Sequence, residues 1–353
     1  MFEKQRDIIF PKSTTFASFA VDAEKCMGCG RCIRACPIQL LVLDENEKPR
    51  PNERYDAFRC ITCQNCNASC PEKAITITGD YRVASGFWRN ADLYEGTKTW
   101  PDPLLRGDET PFASYENELT ETERVIYQRR SVRLYKKKPV PRELVHRVLE
   151  AGRFAPSAGN NQPWKFIAIT DRAVIEEINR ICKKNVRFVP YLLMPHAWLN
   201  KKVPGDRLAR PSWWQKATYA FFSKQRPGDC DQRVLGGINT ISSDPEYDTF
   251  FGAPALILFL VDKRGIGSPD LDLGICGQTM DLAAHSLGLG TCWVSLIRGV
   301  TYDKKYMREK LGIRWPFRIV SSLTLGYPAG QVDNVVKRER PRVNWIEPAA
   351  GKG

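Results

Sequence analysis

The spacing of apolar residues changes along the chain, and the changes divide it. In "FAVDAEKC" and "KAITITGDY" short alternating runs predict two brief strands closing a small unit within residues 1–80. From about Gly79 to Tyr115 no period is sustained and Pro and Gly recur, so 81–118 reads as a linker. Its Trp88, Trp100 and Phe112 suit a segment wrapped on a surface better than a free tether. Order returns at Thr120, where "TETE" sets Thr120 and Glu123 as a capping box opening a helix into "RVIYQRRS". Leu144, Val145, Val148 and Leu149 recur at helical spacing and predict a core-facing helix over 142–153. "KFIAIT" reads as a strand entered from a loop that Gln162, Pro163 and Trp164 end. Cys276, Cys292 and His285 fall in apolar or amphipathic stretches and are expected to be packing residues. The most apolar stretch, "APALILFLV" at 253–261, is far short of the roughly 20 residues of a membrane-spanning helix.

Eight of the twelve cysteines fall in two copies of one pattern, "CMGCGRCIRACP" at 26–37 and "CITCQNCNASCP" at 60–71. A disulfide framework is disfavoured in a chain whose N-terminus mixes both charge signs and lacks an apolar secretion signal; a cytoplasmic location is expected instead. Paired zinc sites use two CxxC units without a third cysteine in step or a following proline. Each run reproduces the spacing of bacterial two-cluster ferredoxins. That resemblance implies two [4Fe–4S] clusters with exchanged fourth ligands. Cys26, Cys29, Cys32 and Cys70 would hold one, and Cys60, Cys63, Cys66 and Cys36 the other.

Charge sharpens the division. Of 53 Lys/Arg and 40 Asp/Glu, residues 1–110 hold 15 and 16, so the net +13 belongs to the rest of the chain. Residues 183–228 carry ten basic residues against Asp206 alone, interleaved with Phe188, Tyr191, Trp198, Trp213, Trp214, Tyr219, Phe221 and Phe222. This basic aromatic insertion, bounded at 183–250, is read first as a lid selecting a flat acceptor bearing carboxylate or phosphate. Contact with an anionic membrane surface and docking of an acidic redox protein are the rivals. Nucleic acid fits least, since nothing else in the chain supports it.

"RRSVRLYKKKPV" at 129–140, "APSAGNNQPWKFIAIT" at 155–170, "DLGICGQTMDLAAHSLGLGTCWV" at 272–294 and "LGYP" at 325–328 followed by "KRERPR" resemble, in order, the motifs of the FMN-dependent nitroreductase family. The resemblance implies an α+β class: a small ferredoxin-like two-cluster domain, then a nitroreductase-like α+β sandwich over 119–353, assembled as an intertwined homodimer. It implies that Arg129, Arg130 and Ser131 bind the flavin phosphate and that Arg133 reaches the pyrimidine edge. Pro156, Ser157, Ala158 and Asn160 would meet the flavin of the partner subunit. Backbone N–H groups of Val294, Ser295 and Leu296 would face N5, and Arg338 and Arg340 would finish the phosphate clamp. No dedicated catalytic acid or base is assigned.

The expected function is an anaerobic iron–sulfur flavoprotein oxidoreductase. Electrons from reduced ferredoxin or a similar carrier would pass through the clusters to FMN and reduce a nitroaromatic, quinone or activated double bond by hydride transfer. The alternative is an electron-transfer protein delivering electrons to a partner enzyme without a small-molecule substrate of its own.

Overall fold

The computed structural model describes residues 13–15, 18–37, 39–52, 60, 63–78, 82–83, 98–107, 110–186, 241, 244–329, 335–341 and 343–346. In the N-terminal unit, β1 (Ser13–Thr15) pairs with β6 (Arg82–Val83), and β2 (Ser18–Val21) with β5 (Ile75–Thr78). Between them lie the short helix α1 (Arg31–Ala35), a hairpin of β3 (Leu41–Leu43) and β4 (Pro49–Pro51), and a second short helix, α2 (Asn65–Ala68). The apolar side chains of β2 and β5 pack with Cys32, Leu41 and Ile33 into a core too small to stabilise many residues alone.

The sequence repeat is also a backbone repeat. Gly30 (φ 65°) and Gln64 (φ 63°) occupy equivalent positions before α1 and α2, and Gln39 and Lys73 both have φ 50°. After each CP pair an amide points back at the last cysteine: Leu40 N–H to Cys36 Sγ at 3.4 Å, Ala74 N–H to Cys70 Sγ at 3.3 Å. Gln64 adopts a left-handed conformation where the first half uses glycine, a strain a β-carbon-bearing residue tolerates only when its surroundings fix it.

The linker is built into the fold. β7 (Lys98–Thr99) pairs with β12 (Arg338–Glu339), and Phe112, Tyr115, Leu119 and Val335 close a small core with Trp100 and Tyr127. Trp88 lies outside the described residues.

The C-terminal unit is a four-stranded antiparallel sheet in the order β10 (Gly290–Trp293), β11 (Phe317–Gly326), β9 (Ala255–Asp262), β8 (Trp164–Ile169). β9 is buried on both faces, which is why its sequence is a continuous apolar run and not an alternating one. Ala255, Ile257, Phe259 and Val261 face α4 (Arg142–Arg153) and α6 (Pro269–Ser286). Leu256, Leu258 and Leu260 face α5 (Arg172–Val186), the Ser295–Tyr302 turn and α7 (Lys304–Glu309). The result is an α/β/α sandwich, with Val145 and Val148 of α4 in the core as their spacing predicts.

Two features position the site. Helix α3 (Glu121–Gln128) begins with the reciprocal Thr120–Glu123 cap and ends at Arg129. The chain then runs beside β10, with Val132 N–H donating to Thr291 O at 2.7 Å and Ser131 bridging Thr291. The segment 129–133 is thus an extra edge of the sheet.

The proposed insertion is narrower than 183–250. Residues 183–186 are the last turn of α5, and Tyr247 and Phe250 are buried, tied down by Asn179, which accepts from Thr249 N–H and donates to Tyr247 O. Tyr247 and Phe250 are core rather than lid. The reading of Trp213, Trp214 and their basic neighbours as a lid falls on 187–240, outside the described residues. Among the described residues no helix is long and apolar enough to cross a membrane.

Candidate functional site

The eight repeat cysteines gather as two sets. Cys26, Cys29, Cys32 and Cys70 line one hollow with Gly28, Pro49 and Pro71; Cys36, Cys60, Cys63 and Cys66 line a second with Phe19, Pro37, Leu40 and Ile77. Each set therefore contains three cysteines from one run and the last cysteine of the other. No disulfide forms among the described cysteines. Nor do three or more His, Cys, Asp or Glu side chains among the described residues close around a single metal ion. Thiols spread around a hollow suit a cluster several atoms across, whereas a tetrahedral zinc site would bring four sulfurs to ~2.3 Å from one point.

Burial pushes the Cys32 thiol up to about 11, with Cys29, Cys70 and Cys26 opposing its ionisation. Burial likewise pushes Cys66 well above the ordinary thiol range, with Cys63, Cys60 and Cys36 adding to it. Each of these two thiols thus holds its proton more tightly than a free cysteine, and iron taking either sulfur as a ligand would have to displace that proton.

In the C-terminal unit the structure brings together residues 129–133, α6 and β10. Arg129 Nη1 lies 3.2 Å from Asp281 Oδ2, and Asp281 is almost wholly buried. Asp281 also accepts from Thr291 Oγ1 and from the Trp293 indole. Burial raises the Asp281 carboxyl above its usual range, and Arg129 pulls it part of the way back. Arg129 Nε is buried without a hydrogen-bond partner among the described residues. Arg130 is buried at 6% exposure, and Arg133 is half-buried with its guanidinium 5.7 Å from the Phe251 ring centre. Burial, with Arg129 and Arg130 nearby, holds His285 below its usual pKa, which disfavours the charged imidazole. Ser131 lies within hydrogen-bonding reach of the buried Cys292 thiol.

Val294, Ser295 and Leu296 follow β10 directly. The Val294 N–H is already donated to Ser322 O at 2.8 Å, which corrects its expected role toward a ligand. The ladder to β11 consumes it. Ser295 and Leu296 open a 3₁₀ turn, where amide donors are left over.

Pro156, Ser157, Ala158 and Asn160 lie elsewhere. Ala158 N–H donates to Asp272 Oδ2 at 3.2 Å, at the start of α6, whereas Arg129 meets Asp281 nearer its end. Nine residues of helix separate the two carboxylates, about 13 Å at ~1.5 Å per residue. Gly159, Asn160 and Gln162 all have positive φ, and the loop presents Asn160 outward, steadied by Gln162 Nε2 donating to its Oδ1 at 3.1 Å. Arg338 and Arg340 are both exposed; Arg338 sits in β12 and Arg340 lies 3.9 Å from Asp102.

Sequence reasoning passed over Asp281. It shares the inward face of α6 with Leu273, Cys276, Gly277, Met280 and Ala284, and an acid at that spacing was the available signal. Tyr247 was also missed. Its hydroxyl donates to Pro37 O at 2.8 Å, joining the two units, and nothing local in sequence announces so distant a contact.

Two thiol cradles joined to an α/β/α sandwich with a buried cationic edge define a two-module redox protein. The nitroreductase family model matches residues 126–327, and a 4Fe-4S dicluster domain model matches 25–79. The chain belongs to the nitroreductase family and carries a 4Fe-4S dicluster domain at its N-terminal side. A protein of Archaeoglobus fulgidus, provisionally named as an NADH dehydrogenase/NAD(P)H nitroreductase, is 39% identical over 215 residues, 60% of this chain and 87% of its own. A 4-nitrobenzoate reductase of Pseudomonas putida is 27% identical over 206 residues, 58% of this chain and 83% of its own. Among solved structures, a nitroreductase with bound FMN from Bacteroides fragilis aligns with TM-score 0.44 and 21% identity, over 65% of this chain and 100% of its own.

Proposed function

We propose that the protein is an iron–sulfur flavoprotein oxidoreductase that passes electrons between two [4Fe–4S] clusters and FMN and reduces an organic acceptor: a nitroaromatic, a quinone or an activated double bond. The observation that carries this reading is the pair of exchanged four-thiol cradles in a unit whose helices α1 and α2 share a crevice with residues 130–134 of the same chain. Bound flavin supplies the exchange between one-electron and two-electron chemistry.

The residues fit such a group. Arg129 and Arg130 provide buried positive charge, and an anionic phosphate would satisfy the buried Arg129 Nε. Ser131 supplies a hydroxyl beside them, and Arg133 a cation for the pyrimidine edge. Ser295 and Leu296 supply backbone donors. Arg338 and Arg340 remain the proposed completion of the phosphate clamp.

Asn160 and its neighbours serve the other subunit of a homodimer, because in one chain α6 holds them away from Arg129. The outward side of α6 exposes Leu271 and Ile275, an apolar face that a second copy would cover.

The relatives' names supply the probe: 4-nitrobenzoate pairs a nitro group with a carboxylate suited to a basic chain. Anaerobically loaded protein, given a reduced one-electron carrier, is expected to consume it catalytically. Flavin reoxidised only by another protein, with no small acceptor of the three classes consumed, would overturn the reading in favour of an electron-transfer protein. In the same preparation Arg129→Ala with Arg130→Ala is expected to lose FMN and keep iron; full flavin occupancy would place the site elsewhere.

A further inference from the structure

The two cradles do not stand in equal relation to the rest of the chain. The described lining of the Cys26, Cys29, Cys32 and Cys70 cradle comes entirely from 26–75. There Cys29 is exposed, and the adjoining Met27 is 63% exposed, an apolar side chain beside the ligand loop. The other cradle leans on the C-terminal unit. Pro37, which follows Cys36 and lines that cradle, receives the Tyr247 hydroxyl at 2.8 Å. Ala35 beside Cys36, Asn65 beside Cys66, and Ala68 and Ser69 between Cys66 and Cys70 form one wall of a crevice whose other wall is residues 130–134 with Ala329. Arg133 lies near enough to Cys63 and to Tyr247 for their charges to reach it, and Tyr247 lies near enough to Cys36 for the same.

Electron transfer slows steeply with distance, so a cradle pressed against the flavin site and one opening to solvent have different uses. We propose that the chain contains an ordered path in which the Cys36, Cys60, Cys63 and Cys66 cradle is the inner relay beside Arg133. The Cys26, Cys29, Cys32 and Cys70 cradle is its outer port for a one-electron carrier protein, and Tyr247 is the positioning residue that holds the relay in place. This rests on the cluster and flavin reading above. Each reduced carrier gives one electron to the outer cluster and leaves oxidised; that electron moves to the inner cluster, restoring the outer one. Two passages, with two protons from water, complete the reduction of one flavin, so two carriers are oxidised for each two-electron reduction of acceptor.

The test uses the full-length loaded protein, with iron and flavin counted first. Absence of both would sink the functional reading itself; their presence leaves the order of the path to be decided. Electron-spin relaxation of the partly reduced flavin, measured by pulsed paramagnetic resonance, reports the nearest cluster. Cys63→Ser is expected to slow that relaxation by roughly fivefold or more, and Cys29→Ser by less than about twofold. The reverse order, or equal effects, overturns the proposal. Tyr247→Phe touches no cysteine and decides the matter should a cysteine variant lose both clusters. With iron and flavin retained, rapid mixing with reduced carrier should show cluster bleaching at the wild-type rate and flavin bleaching delayed by roughly fivefold. Unchanged flavin bleaching would overturn it.

Discussion

Arg129 and Asp281 form a largely buried ion pair that joins the end of α3 to the inward face of α6. The carboxylate also receives Thr291 and Trp293, so it fixes Arg129, the first of the arginines proposed to meet the flavin phosphate, from behind. Asp281→Ala leaves three donors without an acceptor, and a loss of about 3 kcal/mol is expected together with weaker flavin retention. The C-terminal unit's thermal midpoint and flavin content check it; an unchanged midpoint with full flavin would mean that Arg129 is held by other groups.

The same carboxylate gives a pH dependence. Its native pKa is raised above the reference value of 3.8, burial being the main cause. A raised acid binds protons more tightly folded than unfolded, so wild type loses stability as pH climbs from 3.8 through the native pKa. Asp281→Asn has no such titration. Its deficit relative to wild type is expected to be largest at the acid end of that window and to shrink toward neutrality, as denaturant midpoints measured across pH will show. A deficit that grows with pH contradicts the assignment.

Gly277 lies under the Trp293 ring, and a methyl there would overlap the indole. Gly277→Ala is expected to cost about 1–3 kcal/mol as an overpacked core position. Because Trp293 leads directly into Ser295 and Leu296, flavin fluorescence and occupancy should change with the thermal midpoint. A variant as stable as wild type would show that the indole has room to move.

The exchanged cysteine sets predict a pattern of non-additivity. Cys26→Ser with Cys70→Ser should cost no more iron than either alone, about half of the roughly eight irons of two clusters. Cys26→Ser with Cys36→Ser should cost nearly all of it. Iron and acid-labile sulfide per chain after anaerobic preparation decide; additive losses within a set would refute the exchange.

How much of this was readable without coordinates depends on distance along the chain. The repeat, the Thr120 cap and the α4 face are local patterns, and each recurs in the structure. The motif arginines could be numbered, but their partner could not, because Arg129 and Asp281 are 152 positions apart and meet only when α6 packs. The Val294 amide looked available until β11 supplied Ser322 as its acceptor. The 183–250 assignment joined core and insertion because aromatic residues look alike in both. Packing separates them: Phe250 is inaccessible to solvent although a polar stretch, "SSDPEYDT" at 242–249, leads into it.

Introducing acids on the exposed side of α6 tests the assembly. Leu271→Glu with Ile275→Glu should leave each chain folded while weakening dimers, and flavin affinity should fall by roughly tenfold or more with the loss of Asn160 from the second copy. Sedimentation and flavin titration on the same samples check this. Monomers that bind flavin as tightly as wild type would make the site complete within one chain.

Helix α6 carries the Asp272 anchor of the Asn160 loop near its start and the Asp281 anchor of Arg129 nearer its end. In a dimer, one subunit's defect is therefore shared unevenly. A chain lacking Arg129 and another lacking Asn160 each form dead homodimers, yet a mixed pair regenerates one whole site from its two good halves. Equal co-assembly would restore about one quarter of the wild-type sites, by the statistics of random pairing. Two inactive gene copies could thus complement each other, while a single bad copy beside a good one would cost only its own share of the sites.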